Sequence, residues 1–138
     1  MTTAEGGCLC RRVRFRIDDD PLAAMACHCR DCQYLSGGAE ANVVVYPRDR
    51  FHRLSGEERT YRSVAESGTG VWRSFCPDCG TPLFAGNDTH PEVISIKVGT
   101  LDDNSGFHRM GHIWTASAPP WHLMEPGIPS APKNPQFL

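Results

Sequence analysis

Val13, Phe15 and Ile17 alternate with Arg12, Arg14 and Arg16, the period-two pattern of a strand with one buried and one wet face. Opened by Gly6 and Gly7, this strand is expected to run from Cys8 to Ile17. The apolar run Leu22 to Ala26 continues directly into Cys27-His28-Cys29-Arg30-Asp31-Cys32, and Ser36-Gly37-Gly38 follows as a loop. Ala41 to Tyr46 is a β-branched strand stopped by Pro47, which cannot donate to a ladder. Short strands are expected at Phe51 to Leu54 and Arg59 to Ser63, joined by the turn-like Ser55-Gly56-Glu57-Glu58, with a loop from Glu66 to Gly70. Val71 to Phe75 leads into Cys76-Pro77-Asp78-Cys79-Gly80 and Pro82 to Ala85 leads out, which places that cysteine pair at a hairpin tip. Val93 to Val98 alternates cleanly as a further strand. No 3.6-residue apolar stripe reaches helix length. Six of the 11 prolines fall from Pro119 onward, so the C-terminus reads as an irregular strap, pinned by Trp121 and Phe137. The pattern is that of a mainly β protein.

With 138 residues, the chain fits one domain over 1–138, able to bury roughly two-thirds of its unfolded surface without disulfide staples. The net charge of -2, and a single basic run at Arg11 to Arg16, argue against a nucleic-acid partner. No apolar run approaches the roughly 18 residues of a membrane span, and Met1-Thr2-Thr3-Ala4-Glu5 lacks an export signal. A cytoplasmic protein acting on a small molecule, with a homodimer allowed, is the resulting expectation.

Seven cysteines in a reducing compartment point to metal rather than disulfides. Cys76-Pro77-Asp78-Cys79-Gly80 has the form of a zinc knuckle, in which a two-residue gap lets both sulfurs converge and Gly80 permits the turn. Cys8 and Cys10, on one face of the expected strand, make a second pair, although any cysteine pair would complete the knuckle. Cys27, Cys29 and Cys32 lie within six residues and suffice for an open zinc site with a fourth position free. Four plus three is the arithmetic of one closed and one open zinc. Arg11, Arg12, Arg30 and Arg73 lie close in sequence to these ligands and are candidates to offset the thiolate charge; the alternative is a solvated strand face, the expectation for Arg12.

Taken in order, Gly7-Cys8-Leu9-Cys10, Cys27 to Cys32 with Ser36-Gly37-Gly38, and Ser74 to Leu83 resemble the glutathione-dependent formaldehyde-activating enzyme family, also called the centromere-protein-V/GFA domain. The resemblance continues through Gly99-Thr100-Leu101-Asp102-Asp103, His112-Ile113-Trp114 and Trp121. It implies a β-tent fold of small antiparallel sheets, a structural zinc on Cys8, Cys10, Cys76 and Cys79, and a catalytic zinc on Cys27, Cys29 and Cys32. The implied reaction is a carbon-sulfur lyase type, the addition of glutathione to formaldehyde to give S-hydroxymethylglutathione. The family often has Gly, Arg and Ala where Arg11, Gln33 and Gly38 stand. His28 is a candidate proton shuttle or anchor, the plainer alternative being a histidine that only hydrogen-bonds nearby backbone. Ser36-Gly37-Gly38 is either a cleft wall or only a turn, and Trp114 is a packing residue. A non-catalytic zinc or thiol carrier, and a redox protein cycling the triplet through a disulfide, are the alternatives.

Overall fold

Alternation of apolar and polar side chains, broken by Gly and Pro, yields ten strands, one short α-helix and three single-turn 3-10 helices among residues 2–135, which the computed structural model describes. In chain order these are β1 (Ala4–Gly7), β2 (Arg14–Ile17), β3 (Ala23–Cys27), α1 (Arg30–Leu35), β4 (Ala41–Pro47), β5 (Phe51–Ser55), β6 (Arg59–Val64), β7 (Gly70–Phe75), β8 (Pro82–Asn87), β9 (Val93–Lys97) and β10 (Gly111–Ile113). They form a three-stranded sheet, β1-β2-β5, and a seven-stranded sheet, β10-β3-β4-β9-β8-β7-β6. The protein is mainly β. The expectation of small antiparallel sheets needs two corrections, since one sheet has seven strands and β10 runs parallel to β3, with Ile113 beside Cys27. No helix among the described residues is long and apolar enough to cross a membrane.

Each face of the large sheet has a separate apolar cluster, set by strand periodicity. Val44, Tyr46, Phe84, Ile94 and Ile96 point to one face and meet Phe15 and Ile17 of the small sheet and Val13 in the turn before it. Phe15, fully buried, stacks on Phe51 at 5.7 Å between ring centroids and meets Phe84 edge-on at 5.2 Å. Burying such a side chain contributes about 1.5–3 kcal/mol. On the opposite face Ala23, Met25, Ala41 and Val43 pack with Cys27 and Cys32, so the metal-ligand candidates grow out of the second cluster.

The strand expected from Cys8 to Ile17 begins only at Arg14. Residues 8–13 instead turn, with the Arg11 and Cys8 amides donating to the Cys8 and Val13 carbonyls, and Arg11 at φ +68°. The turn at Ser55 to Glu58 carries the chain between sheets, because β5 pairs with β2 while β6 pairs with β7. Helix α1 has only six residues, too few to show an apolar stripe; it starts because the Cys29 sulfur accepts the Cys32 amide. The strap is pinned by buried His122 and Ala131 and by a parallel bridge from Ser130 to His112. Trp121, 62% exposed, packs edge-on against His122 instead of inserting into the body, and Phe137 lies outside the described residues.

Candidate metal centres

Two hairpin tips build the first cluster. The β1–β2 turn carries Cys8 and Cys10, and the β7–β8 turn carries Cys76 and Cys79, with Gly80 at φ +76° closing the knuckle. All four sulfurs lie within 4.8 Å of one another. The distances Cys8–Cys10, 3.6 Å, and Cys10–Cys76, 3.7 Å, are far too long for a disulfide. They match the edge, about 3.8 Å, of a tetrahedron with 2.3 Å metal–sulfur bonds. Donors surround the sulfurs: the Val13 amide donates to Cys8 (3.2 Å) and the Asp78 amide to Cys76 (3.4 Å). The Thr81 hydroxyl and amide hold the Cys79 thiol down to about 5. Arg12, expected on a solvated strand face, instead pairs with Asp78 at 2.7 Å, so its charge sits on the knuckle although the side chain is half exposed. The donor set fits zinc, and it arises from two turns rather than from a strand face.

The second cluster comes from one segment. Cys27 ends β3, Cys29 caps α1 and Cys32 lies in its first turn, again with all sulfurs within 4.8 Å. Hydrogen bonding from Cys27 and Cys32, reinforced by the Cys32 amide and the Arg73 guanidinium, holds Cys29 far below the usual thiol range. The same contact with Cys29 pushes Cys27 far above it. Contact with Cys27 pulls Cys32 down, but Cys29 and burial outweigh this and lift it to about 11. The three sulfurs alone thus favour a single thiolate, and holding three thiolates requires a cation among them. Arg73 also reaches Asp31 at 3.5 Å, whereas Arg30 turns to Gln33 and to the face of Tyr34. Trp114, held at φ +57°, packs against the same cluster with its indole N–H on Asn134.

Beneath the second cluster lies a feature that local motifs do not show. His28, fully buried, bonds through Nε2 to His112 Nδ1 (2.8 Å) and through Nδ1 to His122 Nδ1 (2.9 Å). The Glu125 amide donates to His112 Nε2 (2.9 Å), and His122 Nε2 lies 2.8 Å from the Gly38 carbonyl. These two ends assign every proton. His112 accepts at Nε2 and therefore donates from Nδ1; His28 then accepts at Nε2 and donates from Nδ1; His122 accepts at Nδ1 and donates from Nε2. All three rings are neutral in this pattern. Burial lowers the proton affinity of His28, and the neighbouring His112 and His122 lower it further; burial likewise lowers that of His112. Potential ligand atoms of His28, Glu40 and His122 also fall within 4.8 Å of one another. Every ring nitrogen in that group already has a partner, so it is a hydrogen-bonded set. Of the candidate roles for His28, the geometry matches an anchor: the chain ends on backbone groups and offers no proton outlet. His112 and His122 are 84 and 94 residues from His28, a separation that leaves no signal in local spacing.

The sheets and clusters define a class: a mainly β protein with one four-cysteine and one three-cysteine candidate metal centre. The chain matches the family model described as glutathione-dependent formaldehyde-activating enzyme over residues 3–117. It belongs to that family. Among solved structures it resembles the crystal structure of a Rhodobacter sphaeroides protein, with a TM-score of 0.55 and 21% identity over 91% of this chain and 98% of that one. That likeness concerns the fold. No curated protein matches the chain.

One residue of the family pattern, Asp102, and one departure from it, Gln33, find structural roles. Asp102 forms a two-point ion pair with Arg14, and its amide donates to the Glu5 carbonyl, tying the segment after β9 to the small sheet. Gln33 donates from Nε2 to the His28 and Ser117 carbonyls, joining α1 to the three-cysteine segment and to the strap.

Proposed function

We propose that this chain holds two zinc ions and joins a small thiol such as glutathione to an aldehyde such as formaldehyde at the Cys27/Cys29/Cys32 centre. Cys8, Cys10, Cys76 and Cys79 would form the closed structural site, and the two sheets would form a β-tent organised around the metals as one domain. The observation that carries the reading is three sulfurs converging from one six-residue segment in a member of this family. Zinc bound there would hold an incoming thiol as its thiolate, far more nucleophilic than a free thiol. Cys27, Cys29 and Cys32 supply three ligands and leave one place for the substrate sulfur. Arg73, pulling on Cys29, favours added negative charge at the centre. In the overall reaction a carbon–sulfur bond forms, the carbonyl π bond opens, and the thiol proton ends on the new hydroxyl. Seven free thiols suit a reducing compartment such as the cytoplasm.

One observation favours a carrier instead: His28, beside the cysteines, has both ring nitrogens engaged and offers no free acid or base. Cobalt-substituted protein separates the readings. Glutathione should intensify thiolate-to-metal charge transfer in the wild type and not in Cys29→Ser, and the wild type should form the hydroxymethyl adduct faster than the subtracted spontaneous rate. Binding without acceleration makes the protein a carrier, and an unchanged spectrum removes both readings.

A further inference from the structure

We infer that His28, His112 and His122 are positioning residues for the three-cysteine centre, a neutral hydrogen-bonded chain that fixes the segment presenting Cys27 and Cys29. The inference rests on the reading that this centre holds a metal. Cys29 is extended, with φ -65° and ψ 158°, and Cys27 ends a strand. Along such a backbone alternate side chains point to opposite sides, so the direction of His28 determines that of both cysteines. Residue 28 is held at every polar group it has. Its amide donates to the Ile113 carbonyl (2.9 Å), its carbonyl accepts from Gln33 (2.9 Å), and its ring joins His112 and His122.

The far ends of the chain explain what is being joined. His112 belongs to β10, whose pairing with β3 covers only three residues; His122 and Glu125 belong to the strap. Gly38 lies in the loop after α1, at φ +96°, where its amide also donates to Gln33. Four hydrogen bonds therefore lock β10, the strap and the loop to the cysteine segment. An unpaired buried imidazole would be unfavourable, so all three rings must be present for the chain to close. Among the described residues the four-cysteine centre has no corresponding device, since backbone amides and Thr81 serve its sulfurs.

The test is zinc release from the metal-loaded protein to a colorimetric chelator, with the faster phase assigned by its absence in Cys29→Ser. His122→Leu, which touches no cysteine ligand, should accelerate that phase about 10–100-fold, the usual effect of removing a group that orients metal ligands, and leave the slower phase unchanged. His122→Gln, which keeps an amide able to reach the Gly38 carbonyl, should fall between. Equal acceleration of both phases together with a lower melting temperature would reduce the histidines to general core packing and overturn the inference, as would no acceleration. Nitrogen NMR of the wild type needs no variant: His28 and His112 should appear as Nδ1–H tautomers and His122 as the Nε2–H tautomer, and any other pattern overturns the chain. Wild-type protein that binds one zinc would instead remove the underlying metal reading.

Discussion

Four cysteines at two hairpin tips and three cysteines in one segment present the same side chain at similar mutual distances, yet they do different mechanical work. The first cluster joins the β1–β2 turn of the small sheet to the β7–β8 turn of the large one, across 66 residues between Cys10 and Cys76. A metal there would staple the two sheets. The second cluster lies on a single sheet face and its own helix cap, and a metal there would join little that the backbone does not already join. One centre is self-sufficient, since its turns and local amides orient the sulfurs; the other depends on distant histidines. In the proposed function, structure and reactivity would divide between two centres of similar chemistry.

The largest expected effect follows from this difference. A structural zinc contributes about 10–16 kcal/mol, against roughly 5–15 kcal/mol of total stability for a typical domain. Cys76→Ser or Cys8→Ser should leave the chain unfolded, whereas Cys29→Ser should retain its sheets and lose thiol binding. Circular dichroism melts check this, and a thermostable Cys76→Ser protein would erase the distinction between the centres.

A smaller effect concerns acid. His112 has a folded proton affinity below its ordinary value, through burial and then the nearby Arg109. The unfolded chain, with an ordinary His pKa of about 6.5, therefore takes up the proton first as pH falls. Stability from this group is complete above that pH and is lost progressively below it. The melting temperature should decline from about pH 6.5 downward, more steeply in wild type than in His112→Asn. Equal slopes would detach the histidine chain from stability.

The smallest effect lies in the turn of the four-cysteine centre. Arg11 occupies the left-handed region, which costs a side chain roughly 1–2 kcal/mol and glycine little. Arg11→Gly should raise stability by up to about 1 kcal/mol, after allowing for glycine's freedom in the unfolded chain, without altering the three-cysteine centre. Denaturant titration resolves that change. A loss of stability would show that the Arg11 side chain contributes more than its strained backbone removes.

The positions of several elements follow from patterns only a few residues long. Alternation at Val93 to Val98, the β-branched run before Pro47 and the knuckle between Val71 and Ala85 each reflect local sterics, and each occurs where the pattern places it. The Cys27/Cys29/Cys32 triplet was legible because three sulfurs within six residues can share one metal; the pairing of Cys8 and Cys10 with Cys76 and Cys79 followed from the cysteines left over and from the family resemblance, not from spacing. The strand assigned to Cys8 failed because alternation at Val13 to Ile17 says nothing about the residues before it, where Arg11 takes a left-handed conformation.

By itself, then, the order of residues determined that the protein is mainly β and that Cys27, Cys29 and Cys32 group together, because those properties depend on near neighbours in the chain, while motifs in a fixed order along the chain carried the family. Tertiary structure alone decided that β5 and β6 enter different sheets, that β10 lies parallel to β3, and that three histidines up to 94 residues apart meet behind the cysteines. These outcomes depend on how separate elements cover each other's apolar faces and satisfy each other's buried polar groups. Isolated His28, His112 and His122 carry no periodicity, and only the closing of β10 and the strap over β3 makes each the partner of another.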